Sequence, residues 1–179
     1  VAQAVSRVRR ALLGRRLSRK VYDCYRPRSG VRAFVAWVKD GETTPADPLL
    51  KRFHPNIERS RLIVDGYVAA VSQHSRGDTV DLTLVELPVR AMPPFDRSAA
   101  YGPCTGPAKG RAPDNGVDMG TGYDCFDARS HTAATGLTEV QARWRQTLVE
   151  AMVREGFRNY RREWWHFTLN NEPFPNSYF

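Results

Sequence analysis

Four residues in two separated segments have the chemistry of a metal-assisted hydrolase. His74 and Asp81 lie in segment 72–81, and Glu163 and His166 lie far downstream. Two imidazoles and one carboxylate form a three-ligand set for Zn²⁺ that leaves a fourth position open for water. Glu163 is close enough in sequence to His166 to take a proton from that water, whose pKa Zn²⁺ lowers to about 7. This combination predicts a hydrolytic rather than a structural metal centre.

The spacing of these residues requires a bend in both segments. His74 and Asp81 would point to opposite faces of a flat strand, so the chain must turn between them, and Gly77 is the residue best suited to that turn. Glu163 and His166 would also face opposite ways on a regular strand. We therefore expect a bulge or a bend at the entry to the strand that carries His166.

Each of these residues also has a simpler interpretation when it is considered alone. A single histidine is more often a hydrogen-bonded structural residue than a metal ligand. Glu163 alone would be interpreted as an exposed carboxylate paired with Arg161 or Arg162. The metal hypothesis depends on the four residues acting together. Of the other histidines, His54 is predicted to be exposed in a polar loop, and His131 to orient groups around the ligands.

Hydrophobic periodicity predicts three helices that would support these segments. They cover residues 1–17, residues 31–39, and a region from 138 to about 155. The last begins with a capping box at Thr138 and Gln141 and ends at Gly156. Its predicted core stripe consists of Val140, Trp144, Leu148 and Met152.

Alternating residues predict three strands, over 20–25, 80–87 and 165–169. In the second of these, Val80, Leu82 and Leu84 are predicted to face the core, which leaves Asp81 on the opposite face. The third would carry His166. Residues 40–60 and 88–122 are rich in proline, glycine and polar groups and show no periodicity, so we expect long loops there.

Length and composition favour one globular domain. The 179 residues are 41% hydrophobic with four tryptophans, and no apolar run approaches the roughly 18 residues of a membrane span. The sequence begins at Val1, and we expect that an N-terminal segment is missing. The net charge of +8 comes mainly from scattered arginines without a nucleic-acid-binding module, so we predict no nucleic-acid partner. A solvated basic face is the favoured explanation, and attraction to an anionic cell envelope is the alternative.

The three cysteines leave the redox compartment open. Cys104 and Cys125 could form a disulfide, which would indicate an oxidising compartment, or all three cysteines, with Cys24, could be reduced thiols. We weigh these alternatives equally. Neither a zinc knuckle nor a redox motif of the C-x-x-C type is present.

Four separated motifs make the sequence recognisable. Residues 22–27 (YDCYRP), 72–77 (SQHSRG) followed by 81–84 (DLTL), 118–121 (DMGT) and 163–167 (EWWHF) occur in this order. They resemble the VanX-type D-alanyl-D-alanine dipeptidases, a branch of the zinc peptidases that includes D,D-carboxypeptidases and shares its fold with the hedgehog signalling domain. The resemblance extends from about residue 21 to the C-terminus.

The resemblance implies a role for each matching residue. His74, Asp81 and His166 correspond to the zinc ligands and Glu163 to the catalytic base. Arg26 corresponds to the arginine that stabilises the tetrahedral oxyanion, a role suited to a permanently charged guanidinium. Positions that contact the substrate are matched by two further residues, Ser72 and Asp118, and a carboxylate at Asp118 could hold the ammonium of a dipeptide.

Two departures from the family pattern bear on packing and specificity. Thr79 stands where the family has a small alanine between the glycine and the aspartate ligand. A family segment that precedes the first helix and contributes a substrate-facing tyrosine is not found in this sequence. We expect that its loss would open the pocket and relax the restriction to dipeptides.

Taken together, these inferences predict one α+β catalytic domain over residues 1–179. It would contain a small central antiparallel sheet with helices packed on one face and a zinc site at one end of the sheet. The expected reaction is hydrolysis of D-Ala-D-Ala in peptidoglycan precursor or turnover metabolism of a bacterium. The periplasm or cell envelope is favoured over the cytoplasm. The alternatives are a D,D-carboxypeptidase acting on stem peptides and a non-catalytic, zinc-stabilised binding module.

Overall fold

A computed structural model describes residues 1–40 and 47–179. The order of its helices and strands along the chain is α1 (Ala2–Leu13), β1 (Leu17–Asp23), α2 (Arg28–Lys39), α3 (Pro48–Lys51), β2 (Thr79–Glu86), α4 (Glu139–Arg154), β3 (Phe157–Asn159) and β4 (His166–Leu169). The architecture is α+β, as predicted.

The four strands form one antiparallel sheet in the order β1-β2-β4-β3. Asp81 of β2 lies directly opposite His166 of β4 in the strand register. The sheet therefore brings two of the predicted metal ligands, which are far apart in sequence, to adjacent positions.

The main core lies between the sheet and helices α1 and α4. Val80, Leu82 and Leu84 are buried on the face of β2 that these helices cover, as the alternation predicted. The buried apolar residues that these helices contribute include Ala4, Val5, Val8, Leu12, Leu148 and Met152. With this face closed by two helices, Asp81 lies on the other face of the strand.

Helix α4 is placed as predicted, but its buried stripe differs. The capping box of Thr138 and Gln141 is present, and Gly156 ends the helix region with a left-handed φ of 87°. Val140, however, is half exposed, and the buried face includes Arg145 instead. The Arg145 guanidinium donates hydrogen bonds to the backbone carbonyls of Met119 and Arg129, so it anchors the preceding loop to the helix.

The second core cluster packs under α2 and forms a wall near the site. It consists of Val38, Leu62, Val68 and Phe126. His54 is only 1% exposed here, contrary to its predicted exposure. Its Nδ1 donates to the carbonyl of Ile57 at 2.9 Å, and its ring packs against Trp37, which gives the imidazole a buried partner.

The predicted loops are mostly irregular. Residues 88–122 contain a single short 3-10 turn at Ala108–Gly110, as expected for a segment without periodicity. In the other predicted loop, α3 and a 3-10 turn at Arg59–Arg61 add short regular pieces, and residues 41–46 lie outside the described part of the chain. Strand β3 has only three residues, and no strand was predicted there. No helix in the described part of the chain is long and apolar enough to cross a membrane.

Candidate metal centre

His74 lies in a 3-10 helix, Gln73–Arg76, whose geometry fixes its orientation. The Ser72 hydroxyl caps this helix by accepting a hydrogen bond from the His74 amide, and Gly77 ends it with a φ of 74°. The chain therefore turns between His74 and Asp81 at Gly77, as the spacing required. His74 Nδ1 lies 2.7 Å from the carbonyl of Cys24, which can only accept, so Nδ1 is the donor and Nε2 is left for the site.

Asp81 is the buried carboxylate of the centre, at 2% exposure. Its Oδ2 accepts a hydrogen bond from the Tyr123 hydroxyl at 3.0 Å. Its Oδ1 has no hydrogen-bond partner among the described residues and lies 3.3 Å from His74 Nε2 and 3.1 Å from His166 Nδ1. Burial raises the pKa of this carboxyl, but the two imidazoles outweigh burial and bring the pKa far below its usual value.

His166 and Glu163 share a turn that precedes β4. The Glu163 amide donates to the Tyr160 carbonyl at 2.9 Å, and the Asn159 side chain donates to the carbonyls of both Glu163 and His166 at 3.0 Å. This turn replaces the strand geometry that would have separated the two side chains. It places Glu163 Oε2 3.5 Å from His166 Nδ1.

The donor atoms of His74, Asp81 and His166 fit a divalent metal ion. They include two imidazole nitrogens, 3.3 Å apart, and the unpartnered Oδ1 of Asp81. Ligands at about 2.1 Å from a tetrahedral Zn²⁺ lie about 3.4 Å from one another, which matches these separations. The buried, unpartnered Oδ1 is the stronger observation, because a buried acceptor without a donor is costly unless a cation faces it.

Glu163 lies beside the three donor atoms without belonging to that set. It is 8% exposed. Burial raises its pKa well above the usual value, and the charges of Asp81 and Asp124 raise it further. A carboxylate in this environment accepts a proton readily, which is the property needed in a group that takes a proton and later returns it.

A cavity of about 310 Å³ opens onto these groups. Its lining includes polar residues, among them the three donors, Glu163 and Arg26. Apolar residues also line it, and they include Val31, Phe34, Val68 and Phe126. A pocket of this size with convergent polar groups suits a small polar molecule that carries short apolar side chains.

Comparisons with known proteins agree with this geometry. Residues 111–179 match the Peptidase_M15 family, described as D-ala-D-ala dipeptidase. Over 160 residues, the chain is 39% identical to a D-alanyl-D-alanine dipeptidase of Enterococcus faecalis and 38% identical to one of Streptomyces coelicolor. The similarity to these D-alanyl-D-alanine dipeptidases extends over most of the chain. Both alignments cover 89% of this chain and 65% of the relative, so the chain spans about two thirds of these dipeptidases.

Arg26 and Ser72, the two residues that the resemblance linked to the oxyanion and the substrate, are both found at the cavity. Arg26 donates to Asp23 Oδ2 through Nη2 at 2.6 Å and through Nε at 3.0 Å, and its carbonyl accepts from the Ser75 hydroxyl at 2.7 Å. The guanidinium is therefore held by the end of β1, and the backbone of Arg26 by the 3-10 helix that carries His74.

Asp118 is not brought to the metal centre. Its carboxylate is paired with Arg111 and accepts from Gln141 Nε2 at 2.8 Å and from the Gly120 amide at 2.9 Å. These partners lower its pKa despite partial burial. Asp118 thus holds its own loop against the start of α4 and does not line the cavity of the dipeptidase-like site.

Asp124, and not Asp118, is the aspartate of this loop that lines the cavity. It lines the cavity together with Arg26 and His74. Burial raises its pKa to about 7, and the charge of Asp81 contributes in the same direction. A second aspartate follows the 118–121 motif closely in the sequence, but the comparison of motifs assigned the substrate contact to the first aspartate, Asp118. Tyr123, the partner of Asp81, was also missed.

His131, which was expected to orient groups around the ligands, lies farther out. Its Nε2 is 3.2 Å from the Tyr67 hydroxyl, and Tyr67 lines the cavity. The buried Trp164 donates through Nε1 to the Thr121 hydroxyl at 2.9 Å. Both residues thus support the walls around the centre.

Proposed function

We propose that this chain carries the catalytic site of a zinc-dependent D-alanyl-D-alanine dipeptidase. The convergence of His74, Asp81 and His166 beside the buried Glu163 is the observation that carries the proposal. The alignments with curated dipeptidases support the substrate class. Release of D-alanine from this dipeptide would belong to peptidoglycan precursor or turnover metabolism.

The residues that would hold Zn²⁺ are His74 through Nε2, Asp81 through Oδ1 and His166 through Nδ1. A bound Zn²⁺ supplies Lewis acidity, which polarises a carbonyl and lowers the pKa of water to about 7. The buried imidazole of His74 donates its Nδ1 proton to the Cys24 carbonyl, so its orientation is set before any ion binds.

Glu163 is the proposed general base and acid. It accepts a proton from the attacking water as the oxygen bonds to the peptide carbonyl carbon. When the C–N bond breaks, Glu163 gives that proton to the leaving amine, so the carboxylate is regenerated and two molecules of D-alanine form. Its raised pKa suits both transfers, because proton exchange is fastest when the catalytic pKa lies near the working pH.

Arg26 is proposed to stabilise the negative charge that develops on the carbonyl oxygen. The ion pair with Asp23 holds the guanidinium in place, so little reorganisation is needed during the reaction. Replacing Arg26 with Ala is expected to lower kcat by about 10²–10³-fold, the usual effect of removing one such donor. The matched control is Arg32→Ala on the exposed side of α2, whose kcat should equal that of the parent. Equal activity of Arg26→Ala and the control would contradict the assignment.

Asp124 is proposed to bind the free ammonium of the dipeptide. It is a carboxylate in the cavity whose pKa is raised, and the guanidinium of Arg26 is already paired with Asp23. An ammonium ion would favour the ionised form and compensate for its burial. Ser72 would contribute to the same wall, since it also lines the cavity.

Replacing Asp124 with Asn is expected to raise KM for D-Ala-D-Ala by about tenfold to a hundredfold, with a smaller change in kcat. This corresponds to losing one charged hydrogen bond, roughly 1.5–3 kcal/mol. Steady-state kinetics of Asp124→Asn and Asp118→Asn would measure the effect, and Asp118→Asn is the control for a carboxylate of the same loop. A larger KM increase in Asp118→Asn would restore the original assignment of Asp118.

The decisive assay measures D-alanine release from D-Ala-D-Ala and from its N-acetyl derivative, with and without a chelator. We expect release from the free dipeptide that chelation abolishes and Zn²⁺ restores, and little release from the acetylated form. Equal cleavage of a stem pentapeptide would instead support a D,D-carboxypeptidase. A zinc-loaded chain that is inert toward all of these peptides would support a non-catalytic binding module.

We also propose an oxidising compartment, the periplasm or cell envelope. The support comes from the Cys104–Cys125 disulfide, whose two residues are buried. Such bonds persist mainly outside the cytoplasm. Finding both thiols reduced in protein trapped from intact cells would contradict this location.

A further inference from the structure

The two oxygens of Asp81 have different environments. Oδ1 faces His74 and His166 and has no hydrogen-bond partner among the described residues. Oδ2 points the other way and accepts the hydroxyl proton of Tyr123 at 3.0 Å. A carboxylate that is held by one oxygen presents the other in a defined direction. We propose that Tyr123 is a positioning residue that aims Asp81 Oδ1 at the metal ion.

Tyr123 is itself held firmly by its neighbours. Its ring stacks on Tyr22 with centroids 4.2 Å apart and an angle of 11°, and the edge of Trp165 packs against it at 5.6 Å. Two residues further along the chain, Cys125 is joined to Cys104. The hydroxyl therefore approaches Asp81 from a fixed position, as an outer partner of a metal ligand should.

The Tyr123 hydroxyl acts as a donor rather than as a charged group. Burial raises its pKa, and the nearby carboxylates of Asp124 and Asp81 raise it further. Asp81 Oδ2 is a carboxylate oxygen and can only accept, so the phenolic hydroxyl is the donor in this contact. Tyr123 does not line the cavity beside the proposed ligands but a second depression, which Tyr22 also lines. Tyr123 thus acts through Asp81 and not by touching the substrate.

Tyr22 provides a matched control within the same stacked pair. Its hydroxyl donates to Asp114 at 2.8 Å rather than to a ligand of the metal. Tyr123→Phe and Tyr22→Phe each remove one hydrogen-bonded hydroxyl and keep the ring. The two variants therefore share the loss of one phenolic hydrogen bond and differ in whether Asp81 is affected.

The experiment measures Zn²⁺ affinity by competition with a chromophoric chelator. We expect Tyr123→Phe to weaken Zn²⁺ binding by about 10–100-fold, the usual effect of losing an outer partner of a ligand. Tyr22→Phe should bind Zn²⁺ as the parent does. Thermal unfolding of the metal-free proteins should give similar midpoints for both variants, which separates positioning of Asp81 from general packing.

A double-mutant cycle keeps the test independent of small changes in folding. In an Asp81→Ala background no carboxylate remains to be positioned, so adding Tyr123→Phe should not weaken Zn²⁺ binding further. The inference would be overturned if the losses of Zn²⁺ affinity caused by Asp81→Ala and Tyr123→Phe multiply in the double variant. Parent-like Zn²⁺ affinity in Tyr123→Phe would also overturn it. The inference rests on the proposed metal site, but the two fail differently. Parent-like affinity in Tyr123→Phe leaves the dipeptidase proposal intact, whereas a parent chain that binds no Zn²⁺ overturns both.

Discussion

Replacing Glu163 with Gln is expected to lower kcat for D-Ala-D-Ala by about 10²–10⁴-fold while Zn²⁺ remains bound. The amide has nearly the shape of the carboxyl group but cannot accept a proton from the attacking water. The three proposed ligands are untouched, since Glu163 lies beside their donor atoms and outside the set. Metal content and kcat measured on the same preparation would test both parts of this expectation.

The fold should tolerate this substitution. Burial and the charges of Asp81 and Asp124 raise the pKa of Glu163, so the folded protein disfavours the ionised side chain. For such a group, ionisation as the pH rises reduces stability, and a neutral amide removes this cost. The unfolding midpoint of the metal-free Glu163→Gln protein should therefore equal or exceed that of the parent at neutral pH.

Glu150→Gln is the matched control for the same chemical change. Glu150 lies on α4 and interacts with Gln146 on the protein surface, remote from the cavity. Its kcat and metal content should equal those of the parent. Normal turnover by Glu163→Gln would exclude Glu163 as the base, and loss of metal in that variant would instead indicate that Glu163 is a ligand.

The elements with strong periodicity were predictable because their pattern records which face is buried. Strand β2 is the clearest case, since Val80, Leu82 and Leu84 pack under the helices and Asp81 faces the site. The turn at Gly77 was predictable for a different reason. His74 and Asp81 would lie on opposite faces of a flat strand, so the chain must turn between them to bring both to one site. The observed φ of 74° at Gly77 is one that glycine adopts without strain.

The missed features depend on contacts that a local pattern does not record. Strand β3 is three residues long, and its pairing with β4 is a tertiary contact. The buried face of α4 includes Arg145, although a charged residue is expected to be exposed. The reason is that backbone carbonyls of a distant loop accept hydrogen bonds from its guanidinium. His54 is buried for a similar reason, because the Ile57 carbonyl and the Trp37 ring surround it.

The residues of the candidate site also fall into two groups, those that the sequence predicts and those that it does not. The grouping of His74, Asp81 and His166 beside Glu163 was predictable, because coordination chemistry restricts the residue types and spacing of such a set. Asp124 and Tyr123 were not, because a single carboxylate or phenol in an irregular loop has many possible roles. Only the path of residues 118–125 decides which aspartate enters the cavity, and that path depends on Arg111, Gln141 and the Cys104–Cys125 bond.

Replacing His166 with Ala is expected to reduce Zn²⁺ affinity by more than the 10–100-fold that follows the loss of an outer partner, and to abolish detectable hydrolysis at micromolar Zn²⁺. The reason is that one of only three proposed protein donors is lost, and Asp81 Oδ1 then faces a single imidazole. Competition with a chromophoric chelator and D-alanine release would measure the two effects.

His131→Ala is the control for removing an imidazole near the cavity. His131 contacts Tyr67 and lies outside the ligand set, so this variant should retain one Zn²⁺ per chain. Adding free imidazole should partly restore Zn²⁺ binding to His166→Ala, because the deleted ring leaves a space beside Asp81, and should have no effect on His131→Ala. Parent-like Zn²⁺ affinity in His166→Ala, or loss of metal only in His131→Ala, would contradict the ligand set. Rescue confined to His166→Ala would assign the lost function to coordination, since a packing defect elsewhere would not respond to a small nitrogen ligand.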